Sequence, residues 1–172
     1  MQMFKNLAVQ RLRHPLFALV GSALLVQVSP AVGAAVGSVS KVQNQARVGG
    51  SPAVVGTPVS MNDVIQTGPN ARLQITFHDN TLLTLGENAR VVVDRYVYSP
   101  AQGKGAVAVS VTRGALRFAT GKLGELQHKD VTVTTPAAAL AVRGTDFWVG
   151  PINGQYGALL MKGKVRVSGR NR

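Results

Sequence analysis

Residues 135–147 read Thr135-Pro136-Ala137-Ala138-Ala139-Leu140-Ala141-Val142-Arg143-Gly144-Thr145-Asp146-Phe147. The proline holds the threonine before it in an extended conformation. A short run of small and apolar residues follows. Gly144 then permits a sharp or crowded backbone path, because it has no Cβ atom. The stretch therefore predicts an extended threonine, a short apolar segment and an unusual backbone conformation at the glycine.

Two earlier segments accompany this stretch, Met61–Gly68 (MNDVIQTG) and Leu73–Leu82 (LQITFHDNTL). Together the three segments resemble the FecR-type domain of bacterial envelope proteins, whose late signature is Thr-Pro, a few apolar residues, and Val or Ile before Arg-Gly-Thr. That family more often has glycine at the positions of Met61, Asn62 and Asn80. The resemblance extends from about Val39 to Val167. It assigns a mainly structural family motif to Thr135, Pro136, Arg143, Gly144 and Thr145.

The first 34 residues have the pattern of an export signal. Three cations precede the apolar stretch Leu16–Val28, which is shorter than a typical membrane-spanning helix. Small residues before Ala35 suit cleavage near Ala34. We therefore predict a helical signal peptide at 1–34 and one mature domain at 35–172, periplasmic or secreted from a bacterium, with no stable transmembrane anchor after cleavage. An uncleaved anchor is the alternative.

The composition argues against several kinds of chemistry. The chain has no cysteine, which excludes disulfides, thiolate zinc sites and a cysteine nucleophile. Only His78 and His128 follow the predicted signal peptide, in separate segments, and no Gly-x-Ser-x-Gly, His-Glu-x-x-His or phosphate-loop motif is present. We therefore predict no enzyme, no cofactor and no metal site. The sequence leaves open a pair of carboxylates that meet only in the folded chain.

Alternation of apolar and polar residues dominates the mature chain. Leu73, Ile75 and Phe77 alternate with polar neighbours, and the same period of two recurs at Val107, Val109 and Val111 in the sequence. Many short strands of this kind, separated by turn residues, indicate an all-β domain. Two stretches are predicted to be loops: residues 96–105, which contain Ser99-Pro100 and two glycines, and residues 120–130, which contain Gly121 and Gly124.

An internal echo suggests how the strands are arranged. The segment Gly68–Ile75 is matched by Gly86–Val93, in which Asn70 corresponds to Asn88. The two segments are 18 residues apart. A repeat of this length suits a β-solenoid, where each coil stacks its apolar residues on the next. The family resemblance also implies a β-solenoid or β-helix-like domain. The alternative is a β-sandwich, in which the echo would come from hairpins.

The formal net charge of +12 raises the question of anionic partners. The cations stand singly among apolar neighbours, a pattern that favours a solvated face over a nucleic-acid surface. In the FecR family the domain belongs to a membrane regulator that receives a receptor signal. Here we expect a free-standing, non-enzymatic binding or scaffolding module that recognises another envelope protein and acts in signalling. The alternative is a basic module that binds an anionic envelope polymer or lipopolysaccharide.

Two residues of the late stretch are candidate interface residues. We predict that Arg143 clasps a carboxylate inside the fold with two parallel hydrogen bonds, with Asp146 or Asp94 as partner. The alternative is that it contacts a ligand or partner directly. Trp148 alternates with Phe147 and Val149, so it is predicted to point away from their face. It either covers the edge of the core or anchors an interface.

Overall fold

The computed structural model describes residues 33–169, of which 67% are in strands. This confirms the all-β prediction, whereas the predicted signal peptide lies almost wholly outside the described residues. The strands are β1 (Ala35–Gln43), β2 (Ala46–Val48), β3 (Ser51–Pro52), β4 (Pro58–Ser60), β5 (Val64–Thr67), β6 (Arg72–Phe77), β7 (Leu82–Leu85), β8 (Arg90–Ser99), β9 (Lys104–Arg113), β10 (Leu116–Ala119), β11 (His128–Thr134), β12 (Ala138–Ile152) and β13 (Gln155–Gly169). Short 3-10 turns occupy Pro100–Gln102 and Lys122–Glu125.

The strands form one sheet in the order β3-β2-β5-β8-β9-β11-β12-β10-β7-β6-β1-β4, and β13 is added to β12. Within the described residues, every pairing is antiparallel except that of β9 with β11. The sheet curls into an open half-barrel around one apolar core. The fold is therefore a curled sheet, and the predicted solenoid, which requires parallel stacking of successive coils, is not confirmed.

The internal echo has a different origin from the one predicted. Its two strands are not neighbours, since β6 pairs with β1 and β7 while β8 pairs with β5 and β9. Asn70 and Asn88 instead occupy equivalent left-handed turns, with φ of 52° and 51°. The Asn70 N–H donates to Glu87 Oε2 at 2.8 Å, and the Asn88 N–H donates to the Gly68 carbonyl at 3.1 Å. The echo thus marks two adjacent corners of one curled sheet.

Of the two predicted loops, the first is mostly strand and the second is largely irregular. Most of residues 96–105 is strand, because β8 and β9 form a long hairpin that pairs Tyr98 with Gly105 and Ser99 with Lys104. Only the 3-10 turn and Gly103 interrupt it. Residues 120–130 are largely irregular, as predicted, until β11 begins at His128. The prediction for residues 96–105 was wrong because these serine and glycine residues lie in the end of a long hairpin, where cross-strand hydrogen bonds hold them extended.

A buried carboxylate ties three parts of the fold together. Asp79 has no exposed surface. Its Oδ1 accepts from the Tyr96 hydroxyl at 3.0 Å and the Thr81 N–H at 3.3 Å, and its Oδ2 accepts from the Thr81 hydroxyl at 2.6 Å and the Leu123 N–H at 3.1 Å. The Gly121 N–H donates to Thr81 Oγ1 at 2.9 Å. We call Asp79, Thr81, Tyr96, Gly121 and Leu123 the Asp79 junction.

The junction sits against the aromatic part of the core. The Tyr96 ring stacks on Phe77, with 5.2 Å between ring centroids. Burial, together with the nearby charge of Asp79, raises the pKa of the Tyr96 hydroxyl, so the hydroxyl keeps its proton and its donor role even in alkaline solution. A buried carboxylate is costly unless donors satisfy it, and four donors do so here. The junction thus fixes the β6–β7 turn and the 120–123 segment against β8.

Candidate interaction surface

The Thr-Pro pair closes the turn between β11 and β12. The Thr135 N–H donates to the Ala138 carbonyl at 2.8 Å, and the Thr135 hydroxyl donates to the same carbonyl at 2.9 Å. The Ala138 N–H donates back to Thr135 Oγ1 at 3.0 Å. Thr135 is buried and Pro136 is exposed. These two motif residues therefore lie in a tight, internally bonded turn.

The Arg143-Gly144-Thr145 part of the motif lies where β12 bends. Residues 139–142 pair with β11, residues 146–149 pair with β10, and the register shifts between these two parts. Gly144 has a φ of +56°, which favours glycine. The Thr145 N–H donates to Thr120 Oγ1 at 3.2 Å, and the Thr120 N–H donates to the Thr145 carbonyl at 3.0 Å. The motif thus forms the corner at which β12 changes its partner from β11 to β10.

Strand β13 follows this corner closely. A Cβ atom added at Gly163 would lie 2.5 Å from the Gly144 carbonyl oxygen, and Gly163 has a φ of +94°. Only a residue without a Cβ atom fits there without a shift of the backbone. The β12–β13 hairpin therefore bends as one unit at the motif.

Arg143 is exposed, and the clamp predicted for it is not formed. Asp146 is instead held by Arg117, whose Nε and Nη2 donate to the two carboxylate oxygens at 2.9 and 2.6 Å. In residues 33–169 this is the one ion pair, so Asp94 is not the partner of Arg143 either. The register explains the difference, because β10 runs beside the second half of β12, whereas Arg143 precedes the corner.

The hydrogen bond from Arg117 lowers the pKa of the Asp146 carboxyl group. A depressed pKa in the folded state stabilises the fold above the ordinary pKa of an aspartate, and this contribution is lost as the pH falls through the lower value. The pair is largely exposed, so its contribution is that of a surface salt bridge. It orders the outer face of the sheet next to the corner.

We expect Arg143→Ala to leave stability unchanged, because the side chain is exposed and has no ion-pair partner among the described residues. Surface substitutions of this kind usually change the free energy of unfolding by less than about 0.5 kcal/mol. Thermal denaturation followed by circular dichroism checks this, with Arg72→Ala as an exposed control. A melting temperature more than about 4 °C below that of the control would contradict it.

Trp148 lies on the outer face of the sheet, between Arg117 on β10 and Leu159 on β13. Its neighbours Phe147 and Val149 are buried, as the predicted alternation requires. The indole ring covers Gly150, where an added Cβ atom would lie 2.7 Å from it. Trp148 is therefore half-buried along its own strand and borders the exposed Leu159.

Strand β13 is exposed along most of its length. In the described part of the chain this 15-residue strand pairs with β12 alone, so its other edge leaves backbone N–H and C=O groups free. Four large apolar side chains on it are exposed, Leu159 by 56%, Leu160 by 51%, Met161 by 51% and Val167 by 60%. Sequence reasoning missed this surface, although the unbroken run Ala158-Leu159-Leu160-Met161, which departs from the alternation, was a signal for it.

The inner side of β13 borders a small cleft of about 80 Å³. Its lining includes Leu140 and Val149 of β12, Ala158 and Val167 of β13, and Thr135 of the motif turn. Ala158 and Val167 both line the cleft although they are nine residues apart on β13.

Two further observations concern the described residues 33–169. No three His, Asp or Glu side chains in this part of the chain are grouped so that they could hold a metal ion. No helix there has the length and apolar character needed to cross a membrane.

Comparisons with known proteins place the chain in a family. Curated protein sequences gave no match. A crystal structure of a candidate anti-sigma factor from Parabacteroides distasonis shares the fold, with a TM-score of 0.50 and 19% identity. A second crystal structure of a candidate anti-sigma factor from that organism aligns with a TM-score of 0.47 and 21% identity. Each alignment covers 63% of this chain and 48% of the other, so the chain spans about half the length of that relative. The model of the FecR protein family matches residues 63–166, more than half of the sequence, and the chain therefore belongs to that family.

Proposed function

We propose that the chain is a non-enzymatic signalling module of the bacterial cell envelope that binds another protein. We further propose that the partner adds an extended strand to the free edge of β13. Membership of the FecR family and the fold shared with a candidate anti-sigma factor support a signalling role. The observation that carries the proposal is the long, exposed and partly apolar edge of β13.

An edge of this kind is unusual in a protein that remains unpaired. Strands are typically about 5–6 residues long, and exposed edges are commonly shortened, bulged or interrupted by charge or proline. β13 has 15 residues and no proline. Its cations and register shifts are confined to Met161–Arg166, so the segment Gln155–Leu160 has neither charge nor bulge. A strand that pairs with it would satisfy the free backbone groups and cover the apolar side chains.

The charges of β13 restrict the partner further. Its basic segment, Lys162–Arg166, contains three cations, and the strand has no acidic residue. A second copy of the chain fits poorly, because pairing two β13 strands sets cations against cations or against the apolar segment. The partner strand proposed here therefore has apolar residues opposite Ala158–Met161 and acidic residues opposite Lys162–Arg166. A periplasmic or secreted location, through the export signal proposed for residues 1–34, would bring it to other envelope proteins.

Site-specific photocrosslinking in bacterial cells tests the proposal. A photoreactive amino acid replaces Leu160, Val167 or, as a control of matched exposure in a loop, Val55, which is 65% exposed. We expect one protein to be captured from positions 160 and 167 and not from position 55.

The captured protein is then purified and titrated with Leu160→Lys and Val55→Lys variants. A lysine on the edge opposes strand pairing, so Leu160→Lys should weaken binding by at least about tenfold. Equal capture from all three positions, or unchanged binding by Leu160→Lys, would show that the edge of β13 is not the binding site.

A further inference from the structure

The outer face of the sheet has a groove where β11, β12 and β13 lie side by side. Arg143 and Lys164 stand directly opposite each other, and the next pair is Ala141 and Arg166. On the other side of β12, Ala141 faces Thr132. The small side chain of Ala141 leaves the floor of the groove open, and the groove has a volume of about 490 Å³.

The groove collects positive charge from distant parts of the sequence. Lys129, Arg143, Lys164 and Arg166 line it, with Asp130 as its one acidic residue. The Lys129 ammonium donates to the carbonyl of Gly124, in the 3-10 turn that precedes β11. None of these charges belongs to an ion pair in residues 33–169, where Arg117 and Asp146 form the single pair. The cations that stand singly in the sequence are thus brought together by strand register.

Like charges directly opposite each other on neighbouring strands destabilise a sheet. An anion in the groove would remove this repulsion between Arg143 and Lys164. Arginine presents a planar fork that matches phosphate geometry, and lysine acts as a point charge. A phosphate monoester carries a charge of about −1.5 to −2 at neutral pH on three compact oxygens, whereas a carboxylate carries one charge. The arrangement therefore suits a phosphate monoester better than a single acidic side chain.

We propose that this groove is a binding site for a phosphate monoester, carried either by a lipid headgroup or by a soluble molecule. The groove opens on the face of the sheet that carries Arg143, whereas strand addition uses the backbone edge of β13; Lys164 and Arg166 belong to both surfaces. It gives a defined location to the anionic-ligand alternative that the net charge of the chain raises.

The experiment compares two double variants of the 172-residue chain, Arg143→Gln/Lys164→Gln in the groove and Arg72→Gln/Lys104→Gln outside it. Both remove one exposed arginine and one exposed lysine. The probes are glycerol phosphate in solution, vesicles containing phosphatidic acid, vesicles containing phosphatidylglycerol at equal surface charge, and polyglutamate. Circular dichroism verifies that both variants fold like the parent.

We expect the groove variant to bind glycerol phosphate at least about tenfold more weakly than the parent, and the control variant to bind it within about twofold. A lipid source would be identified if the chain binds phosphatidic acid vesicles more strongly than phosphatidylglycerol vesicles, and if the groove variant, but not the control variant, loses this binding. Binding of glycerol phosphate without vesicle binding would identify a soluble source. The proposal is overturned if the parent binds neither phosphate probe, if both double variants lose binding equally, or if polyglutamate binds the groove more tightly than glycerol phosphate.

Discussion

Asp79→Ala is expected to lower the free energy of unfolding by at least about 3 kcal/mol, because it leaves four buried donors without their acceptor. That is a large share of the roughly 5–15 kcal/mol that stabilises an ordinary domain. Asp79→Asn should cost less, since the amide keeps one oxygen acceptor. Urea denaturation followed by circular dichroism measures both. The matched control is Asp94→Ala, which removes the same charge from an exposed position.

If Asp79→Ala unfolded at the same urea concentration as Asp94→Ala, the Asp79 junction would not stabilise the fold. Tyr96→Phe provides a second check, since it removes one donor to Asp79 and leaves the Asp79 N–H without the hydroxyl that accepts it at 3.0 Å. We expect this variant to lie between the parent and Asp79→Ala in stability.

Gly121→Ala is the second substitution for which we expect a large effect. An added Cβ atom would lie 2.3 Å from the Asp79 carbonyl oxygen and 2.4 Å from backbone atoms of Asn80 and Thr81. Backbone atoms cannot rotate away as a side chain can, so the 120–123 segment has to move off the β6–β7 turn. This should break the Gly121 hydrogen bond to Thr81 and destabilise the fold by about 2–3 kcal/mol.

Gly169→Ala is the matched control for Gly121→Ala, because a Cβ atom there meets no atom within 4 Å. The same urea denaturation compares the two variants. Parent-like stability of Gly121→Ala would mean that the contact between the 120–123 segment and the turn is looser than the structure shows.

The strands could be predicted from the sequence because their signal is local. Leu73, Ile75 and Phe77 alternate with polar residues, and all three are at most 1% exposed in the structure. The same holds for Trp148, whose outward position follows from its two buried neighbours. A period of two requires only that one face of a strand be buried, whatever strand lies beside it.

The arrangement of the strands could not be predicted in the same way. The echo at Asn70 and Asn88 specifies two similar turns, but it does not specify which strands pair after them. A solenoid and a curled antiparallel sheet can both contain such turns, and long-range pairing decides between them.

The polar contacts depend on the same long-range pairing. Asp79 meets donors 17 and 44 residues further along the chain, and Asp146 is paired with Arg117, 29 residues before it. The basic groove likewise exists only because β11, β12 and β13 are in register. The sequence therefore predicted Asp146 or Asp94 as the partner of Arg143, and it showed the cations as dispersed.

Hydrogen–deuterium exchange, measured with and without the captured partner, tests the central proposal most directly. Strand addition to β13 should slow exchange of backbone amides within Gln155–Gly169, most strongly for those whose N–H groups point away from β12. Amides of the loop around Val55 should be unaffected. Unchanged exchange throughout β13, with protection appearing on another part of the fold, would contradict the proposal that the partner binds at the edge of this strand.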